Sequence, residues 1–175
     1  DIIEPLGAGS FGVVWKAFDP VLRRHVAIKA LHPNLRPTSA LHERFEQEAQ
    51  AAARLNHPNI VRVHEVGRID EISYIVAELV DGPKLEVTQD GNPTYSPSDS
   101  ATIVSQLAAA AHHSHIQGVL HRDIKPENIL MESQFPASGV GKTIPRLTDF
   151  GLARLLDQQA GNSQFGMLIG SLDYM

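Results

Sequence analysis

The sequence contains no cysteine, and this absence excludes disulfide bonds, cysteine-ligated zinc and a thiol nucleophile. No apolar run approaches the length of a membrane span, and no signal peptide is visible. An excess of basic charge is also lacking, since the net charge is -5, so nothing indicates a nucleic-acid partner. The composition otherwise suits one globular domain or two small lobes. We expect a cytoplasmic chain, and a membrane anchor in other regions of a parent protein is compatible with it.

The first eighty residues are predicted to form mainly short strands, because runs rich in Val and Ile alternate with turn residues. These runs are Ile2–Leu6, Val13–Ala17, Val26–Leu31, Val61–Val66 and Ile72–Leu79. One helix, about Ala40–Leu55, interrupts them and ends before Pro58.

The second part of the chain is predicted to begin with a helix. Ser96 is its expected N-cap, with Pro97 in the first turn, and Gly118 ends it. Its predicted apolar face carries Ile103, Leu107 and Ala111. The remaining segments are two polar loops, Thr88–Asp99 and Ser133–Pro145, and strand-like pieces at Val119-Leu120, Ile129–Met131 and Arg146–Thr148. A strand-rich part followed by a helical part indicates two lobes with a cleft between them.

A glycine-rich segment lies near the start of the chain. Gly7-Ala8-Gly9-Ser10-Phe11-Gly12 matches G-x-G-x-x-G, a pattern that dinucleotide-binding folds share. Those folds need a helix after the glycines, whereas Val13–Ala17 is an alternating, β-branched strand. The segment is therefore predicted to join two antiparallel strands as a flap whose backbone N–H groups can approach phosphates. Taken alone, it would be interpreted as an ordinary glycine hairpin.

A lysine at the end of an apolar strand and a glutamate on the following helix form a predicted pair. Lys29 closes Val26-Ala27-Ile28-Lys29, where a solvent-facing lysine is the simplest interpretation. The helix places Glu48 on the face that carries Phe45, Ala49, Ala52 and Leu55. A carboxylate on a face turned to the core needs a cation, so Lys29 is its expected partner. The paired lysine could then hold two phosphates of a nucleotide.

The strongest segment is His121-Arg122-Asp123-Ile124-Lys125-Pro126-Glu127-Asn128, followed later by Asp149-Phe150-Gly151. Asp149 and Asn128 carry the hard oxygen donors that Mg²⁺ prefers. Asp123 can accept the proton of an attacking hydroxyl. Any one of these residues alone would be interpreted as a solvated loop charge, but the whole set in this order favours phosphoryl transfer.

These motifs resemble the eukaryotic-type protein kinases, especially the bacterial serine/threonine kinases, and the resemblance spans essentially the whole chain. It implies an α+β, two-lobed fold: residues 1–80 form an antiparallel β-rich N-lobe with one helix, and residues 81–175 begin an incomplete helical C-lobe. It also implies that Asp123 is the catalytic base and that Lys125 steadies the transferred phosphate. Lys29, paired with Glu48, would hold the α- and β-phosphates, and Asn128 and Asp149 would hold Mg²⁺.

The resemblance also implies a site for ATP. Its expected contacts are Leu6, Gly7, Ala8, Gly9, Ser10, Phe11, Gly12, Val14, Ala27, Lys29, Ala77, Glu78, Val80 and Leu130. The backbones of Glu78 and Val80 would bond the adenine. Ala77 falls at the gatekeeper position and is unusually small, so we expect an enlarged back pocket that accepts bulky ATP analogues.

Lys125, two residues after Asp123, resembles the serine/threonine class, which implies a protein substrate with Ser or Thr acceptors. Ser163 is the expected activation-segment phosphosite, Ser171 is expected to contact the catalytic loop, and a dimer could carry out autophosphorylation. The family pattern continues past Met175, so we expect these residues alone to fold poorly and to be nearly inactive.

Two alternatives to a protein kinase remain open at this point. One is a non-catalytic nucleotide-binding scaffold, which the complete set of catalytic residues disfavours. The other is a small-molecule phosphotransferase of kinase-like fold, which Lys125 and the Gly170–Met175 segment disfavour. A metal site made of histidines 112, 113, 115 and 121 is disfavoured because neighbouring residues do not share a helix face.

Overall fold

A computed structural model describes residues 1–9, 12–31, 39–89, 92–134 and 142–150. The first lobe contains a five-stranded antiparallel sheet in the order β1-β2-β3-β5-β4. Its strands are β1 (Ile2–Gly9), β2 (Gly12–Asp19), β3 (Arg24–Leu31), β4 (Val63–Ile69) and β5 (Ile72–Glu78). All five predicted strands are therefore present.

Helix α1 (Ser39–Ala53) packs on this sheet through one apolar stripe. Phe45, Ala49, Ala52 and Leu55 are all buried, at the positions that the helical period predicted. Phe45 and Ala49 form one cluster with Leu31 of β3 and Ile75 of β5. The predicted phase of α1 is thus confirmed, and it places the helix against the strand that carries Lys29.

Helix α2 (Pro97–Ile116) opens the second lobe. Ser96 is its N-cap, as predicted: its hydroxyl accepts a hydrogen bond from the Asp99 backbone N–H at 3.1 Å. The helix ends before Gly118, whose φ of +73° is readily adopted only by glycine. Ile103, Ala110 and Ser114 are its buried residues, so the core-facing stripe is rotated from the predicted one.

The predicted Leu107 and Ala111 are only partly buried, and α2 also exposes Val104 and Ile116. The rotation arises because Ala110 and Ser114 are small enough for close helix packing, which a search for large apolar residues overlooks.

Two predicted loops contain strands, and here the predictions were wrong. β8 (Ile129–Gln134) pairs with β9 (Lys142–Leu147), with Gln134 opposite Lys142, so both described ends of the predicted Ser133–Pro145 loop are strand. Backbone pairing extended the strands beyond the apolar residues that marked them. The other loop contains two-residue strands, β6 (Thr88–Gln89) and β7 (Asn92–Pro93).

The β8–β9 hairpin joins the two lobes. Ile60, just before β4, pairs with Leu147, and Lys84 pairs with Leu130. The largest buried cluster surrounds this hairpin and extends from α1 to α2; it comprises Ala52, Leu55, Ile60, Ile103, Ala110, Val119, Ile129, Met131, Leu147 and Phe150. This architecture confirms the α+β, two-lobed prediction. None of the helices in the described part of the chain is long and apolar enough to cross a membrane.

Candidate active site

The loop between α2 and β8 holds together two of the predicted catalytic residues and one predicted metal ligand. Asp123 Oδ2 accepts hydrogen bonds from Asn128 Nδ2 at 2.9 Å and lies 2.8 Å from Lys125 Nζ. Asn128 Nδ2 also donates to the backbone carbonyl of Asp123 at 2.8 Å. A 3₁₀ turn over Pro126–Asn128 makes these contacts possible, because it brings Asn128 back over the loop.

His121 supports this loop from below. It is 1% exposed and its ring lies 4.5 Å from that of Phe150. Its Nε2 is 2.8 Å from the Thr148 carbonyl, so that nitrogen must donate, while Nδ1 accepts from the Asp123 backbone N–H at 3.3 Å. Burial lowers the pKa of His121, against smaller opposing effects of that carbonyl and of Asp149. The neutral Nε2–H tautomer is the form that satisfies both contacts.

Two non-glycine residues of the site have left-handed backbone. Arg122 has φ of +68° and Asp149 has φ of +65°. Such a conformation is uncommon outside glycine and clusters at functional sites. It turns the chain sharply at Asp149, immediately after the strand β9 has ended.

Lys29 reaches across the cleft to Asp149. Lys29 Nζ lies 2.7 Å from Asp149 Oδ1, and its side chain is only 14% exposed. In the β2–β3 pairing Lys29 is opposite Val14, so the two side chains share one face of the sheet. Glu48 is half-buried on α1. Its pairing with Lys29 stays a prediction.

The glycine-rich segment joins two antiparallel strands, as predicted. Gly9 pairs with Gly12, and Gly7 pairs with Val14. A Cβ at Gly7 would meet nothing within 4 Å, whereas one at Gly12 would lie 2.0 Å from the Ala30 carbonyl oxygen. Gly12 is therefore required by the close approach of β2 and β3, and Gly7 leaves open space where a ligand could lie.

Three of the predicted adenine contacts lie at or just after the end of β5. Ala77 pairs with Ala27 across β5 and β3, and Glu78 pairs with Val26. Val80 lies two residues after β5 and is half-buried. Leu130 lies in β8, where it forms an isolated bridge with Lys84.

Sequence reasoning missed Arg146, which lies between two carboxylates at this end of the site. Its guanidinium is paired with Glu78 and with Glu132. The available signal was a charged residue between Pro145 and Leu147 in a strand, since such a position needs a partner when buried. Ser10, Phe11, Gly151, Ser163 and Ser171 lie outside the described residues.

Lys29 thus pairs with Asp149, and Thr148, the residue before it, is bonded to His121 and Asn128 of the loop that holds Asp123. A family model for the protein kinase domain matches residues 1–175. The chain therefore belongs to the protein kinase domain family.

Curated relatives are bacterial. A probable serine/threonine-protein kinase of Corynebacterium efficiens is 37% identical over 176 residues, which cover 97% of this chain and 25% of that protein. Serine/threonine-protein kinase PrkC of Bacillus subtilis is 35% identical over 174 residues, covering 99% of this chain and 26% of that protein. The chain thus spans about a quarter of the length of the curated relatives it matches.

Solved structures agree with the fold. The kinase domain of Mycobacterium tuberculosis PknI superimposes with a TM-score of 0.70 at 31% identity. The match covers 87% of this chain and 59% of that domain. The two-lobed architecture is therefore shared with an experimentally determined bacterial kinase domain.

Proposed function

We propose that the protein transfers the γ-phosphate of ATP to Ser or Thr hydroxyls of protein substrates, with Mg²⁺ as the assisting metal. The observation that carries this proposal is the position of Asp123, whose carboxylate is held by Asn128 and Lys125 in one short loop. A carboxylate fixed beside a lysine suits deprotonation of a hydroxyl next to a developing phosphate charge. The names of the bacterial relatives support the same reaction class.

The donor set fits Mg²⁺. The amide nitrogen of Asn128 is engaged with Asp123, so its amide oxygen is the atom that can ligate a cation. Asp149 uses Oδ1 for Lys29, which leaves Oδ2 as its ligand oxygen. Within the described residues no group of three or more His, Cys, Asp or Glu could hold a metal. That finding is compatible with Mg²⁺, which binds through one or two protein ligands together with substrate phosphates.

ATP with bound Mg²⁺ supplies the phosphoryl group and neutralises part of its charge. Lys29 would pair with the α- and β-phosphates, with Glu48 as its predicted partner, and the backbone of the Gly7–Gly12 turn would lie over the phosphates. The adenine would lie between Ala27 and Leu130, with its edge at the backbones of Glu78 and Val80. Leu6, Val14 and Ala77 would complete the apolar walls of this pocket.

The reaction follows from these positions. The acceptor hydroxyl oxygen forms a bond to the γ-phosphorus while the bond from that phosphorus to the β-phosphate oxygen breaks. Asp123 accepts the hydroxyl proton, and Lys125 stabilises the negative charge of the transferred group. Because both residues are held in the same loop, the protein's contribution is positioning and electrostatics and no covalent intermediate is needed.

The experiment compares acceptors. The natural protein that carries this chain is incubated with Mg²⁺ and ATP labelled at the γ-phosphate, with a generic protein acceptor or with small alcohols. We expect label on Ser and Thr of the protein acceptor and none on the alcohols. Label on the alcohols alone would favour a small-molecule phosphotransferase, and nucleotide binding without transfer would favour a scaffold.

Four further features belong to the proposal: a cytoplasmic location of this domain, a dimer for autophosphorylation, a phosphosite at Ser163, and little activity of residues 1–175 alone. Phosphopeptide mapping that found Ser163 unmodified in active protein would remove that phosphosite from the proposal.

A further inference from the structure

Arg146 has a side chain of low exposure and links the two lobes. Its side chain is 11% exposed, and it lies on β9 directly opposite Leu130 of β8. Nη2 is paired with Glu78 Oε2, and Nη1 lies 3.3 Å from Glu132 Oε2. Glu132 belongs to the same hairpin, whereas Glu78 is the last residue of β5 in the first lobe. The first of these pairs therefore crosses between lobes.

Glu78 is also the first residue of the segment expected to bond adenine. Its backbone N–H donates to the Arg62 carbonyl at 2.9 Å, and its side-chain Oε2 faces the Arg62 N–H at 3.4 Å. The carboxylate thus contributes to the direction in which the chain leaves β5. Arg146 holds this carboxylate at a point opposite Leu130, which is expected to contact the face of the base.

A second ion pair lies three residues later, just beyond the end of β9. Asp149 meets Lys29 of β3 at 2.7 Å. Besides the backbone pairing of Leu147 with Ile60, two side-chain ion pairs therefore connect this segment to the first lobe, one beside the expected adenine and one beside the expected phosphates. The two connections are separate, so each could control one end of the nucleotide.

The charge balance makes Arg146 important to this geometry. One guanidinium compensates two carboxylates, and the side chains of Glu78 and Glu132 are only 35% and 21% exposed. Without the cation, the partly buried carboxylates of Glu78 and Glu132 would both lose this partner. We expect the loss of the pair with Glu78 to displace the segment that follows this residue.

We propose that Arg146 is a positioning residue that fixes the Glu78–Val80 segment for adenine and thereby sets the affinity for the base of ATP. This inference rests on the proposed function. A purely structural role of Arg146 would instead lower stability and weaken the binding of every part of the nucleotide together.

The test separates the two ends of the nucleotide. Dissociation constants for adenosine and for magnesium tripolyphosphate are measured by calorimetry on the natural protein that carries this chain, with melting curves in parallel. Arg146→Gln should weaken adenosine binding about fivefold and leave tripolyphosphate within roughly twofold, the scale of one partly exposed ion pair. Arg146→Lys should restore most of the adenosine affinity.

Glu132→Gln is the matched control, because it removes the second pair and leaves the pair with Glu78. It should keep both dissociation constants within roughly twofold of the unsubstituted protein. Glu78→Gln removes the first pair from the other side and leaves the backbone groups in place. It should reproduce the selective weakening of adenosine binding. This variant therefore tests the inference even if Arg146→Gln does not fold.

Unchanged adenosine binding in Arg146→Gln, or an equal loss of both ligands with a lower melting temperature, would overturn the inference and leave the proposed function intact. Failure of the unsubstituted protein to bind either ligand would overturn the proposed function itself.

Discussion

The catalytic loop and the glycine-rich turn position their residues by different means. In the loop, side chains hold one another: Asp123 is fixed by Asn128 and Lys125, and His121 lies beneath it. At the glycine-rich segment, backbone pairing between β1 and β2 positions the glycines. The neighbouring Leu6 is 50% exposed. Substitutions in the loop should therefore alter chemistry, whereas substitutions beside the turn should alter strand packing or nucleotide contact.

Substitution of Lys29, in the first lobe, should lower kcat/KM in the same way as a substitution in the loop that holds Asp123. Lys29→Met removes the ion pair with Asp149, so we expect kcat/KM for phosphorylation to fall about a hundredfold or more. Lys16→Met is the control, since it removes a lysine of the same sheet whose ion-pair partner is Glu4. Steady-state kinetics of both variants would contradict the assignment if the two losses were equal.

Substitution by alanine should affect stability differently at Gly12 and at Gly7. A Cβ at Gly12 would lie 2.0 Å from a backbone carbonyl, so Gly12→Ala should lower the free energy of unfolding by about 2 kcal/mol. Gly7→Ala meets no atom within 4 Å, so its free energy should change by less than about 0.5 kcal/mol. Urea denaturation measures both. A comparable destabilisation by Gly7→Ala would contradict the presence of open space beside Gly7.

The gatekeeper position should control the size of the accepted nucleotide. Ala77 pairs with Ala27, so two small side chains face each other at the back of the expected adenine pocket. Ala77→Met should reduce the use of bulky N6-substituted ATP analogues about tenfold, and unmodified ATP should be used equally well by both proteins. Competition kinetics with such analogues tests this. Equal discrimination before and after the substitution would place the back pocket elsewhere.

The smallest expected effect is the pH dependence of stability through His121. Burial lowers its pKa in the folded protein, so the unfolded chain binds the proton more tightly. The contribution of His121 to the free energy of unfolding is fully present above the unfolded-state pKa of about 6.5. It is lost as the pH falls below that value, at no more than about 1.4 kcal/mol per pH unit. A proton on Nδ1 would also oppose the Asp123 N–H.

Unfolding free energies at neutral and mildly acidic pH measure this slope. Burial also lowers the pKa of His57 and His64, so the slope of the unsubstituted protein contains contributions from several histidines. His121→Gln should reduce the slope, whereas His115→Gln, at an exposed position of α2, should leave it unchanged. Equal slopes in both variants would mean that His121 does not contribute.

Local sequence signals predicted most of the fold. The stripe from Phe45 to Leu55 gave the phase of α1 because a helix must bury one continuous face. Ser96 marked the start of α2 because its hydroxyl satisfies a backbone N–H that the helix leaves open. The β8–β9 hairpin was underestimated, since its outer residues are held by backbone pairing and carry no apolar pattern.

The candidate site was predicted through motif spacing, but its electrostatic partners were not. Arg146 meets Glu78 over a separation of 68 residues, and Lys29 meets Asp149 over 120. No local period encodes such contacts, because they arise only after both lobes have packed on the hairpin. Helix phase suggested Glu48 for Lys29, and the structure adds Asp149 as an ion-pair partner.

The central claim is that Asp123 acts as the base in phosphoryl transfer to protein hydroxyls. The most direct test measures phosphoserine and phosphothreonine formed by the natural protein and by its Asp123→Asn variant at saturating Mg²⁺ and ATP. The account predicts a loss of about a thousandfold in kcat, with ATP affinity and melting temperature retained. Equal phosphorylation by the two proteins would contradict it.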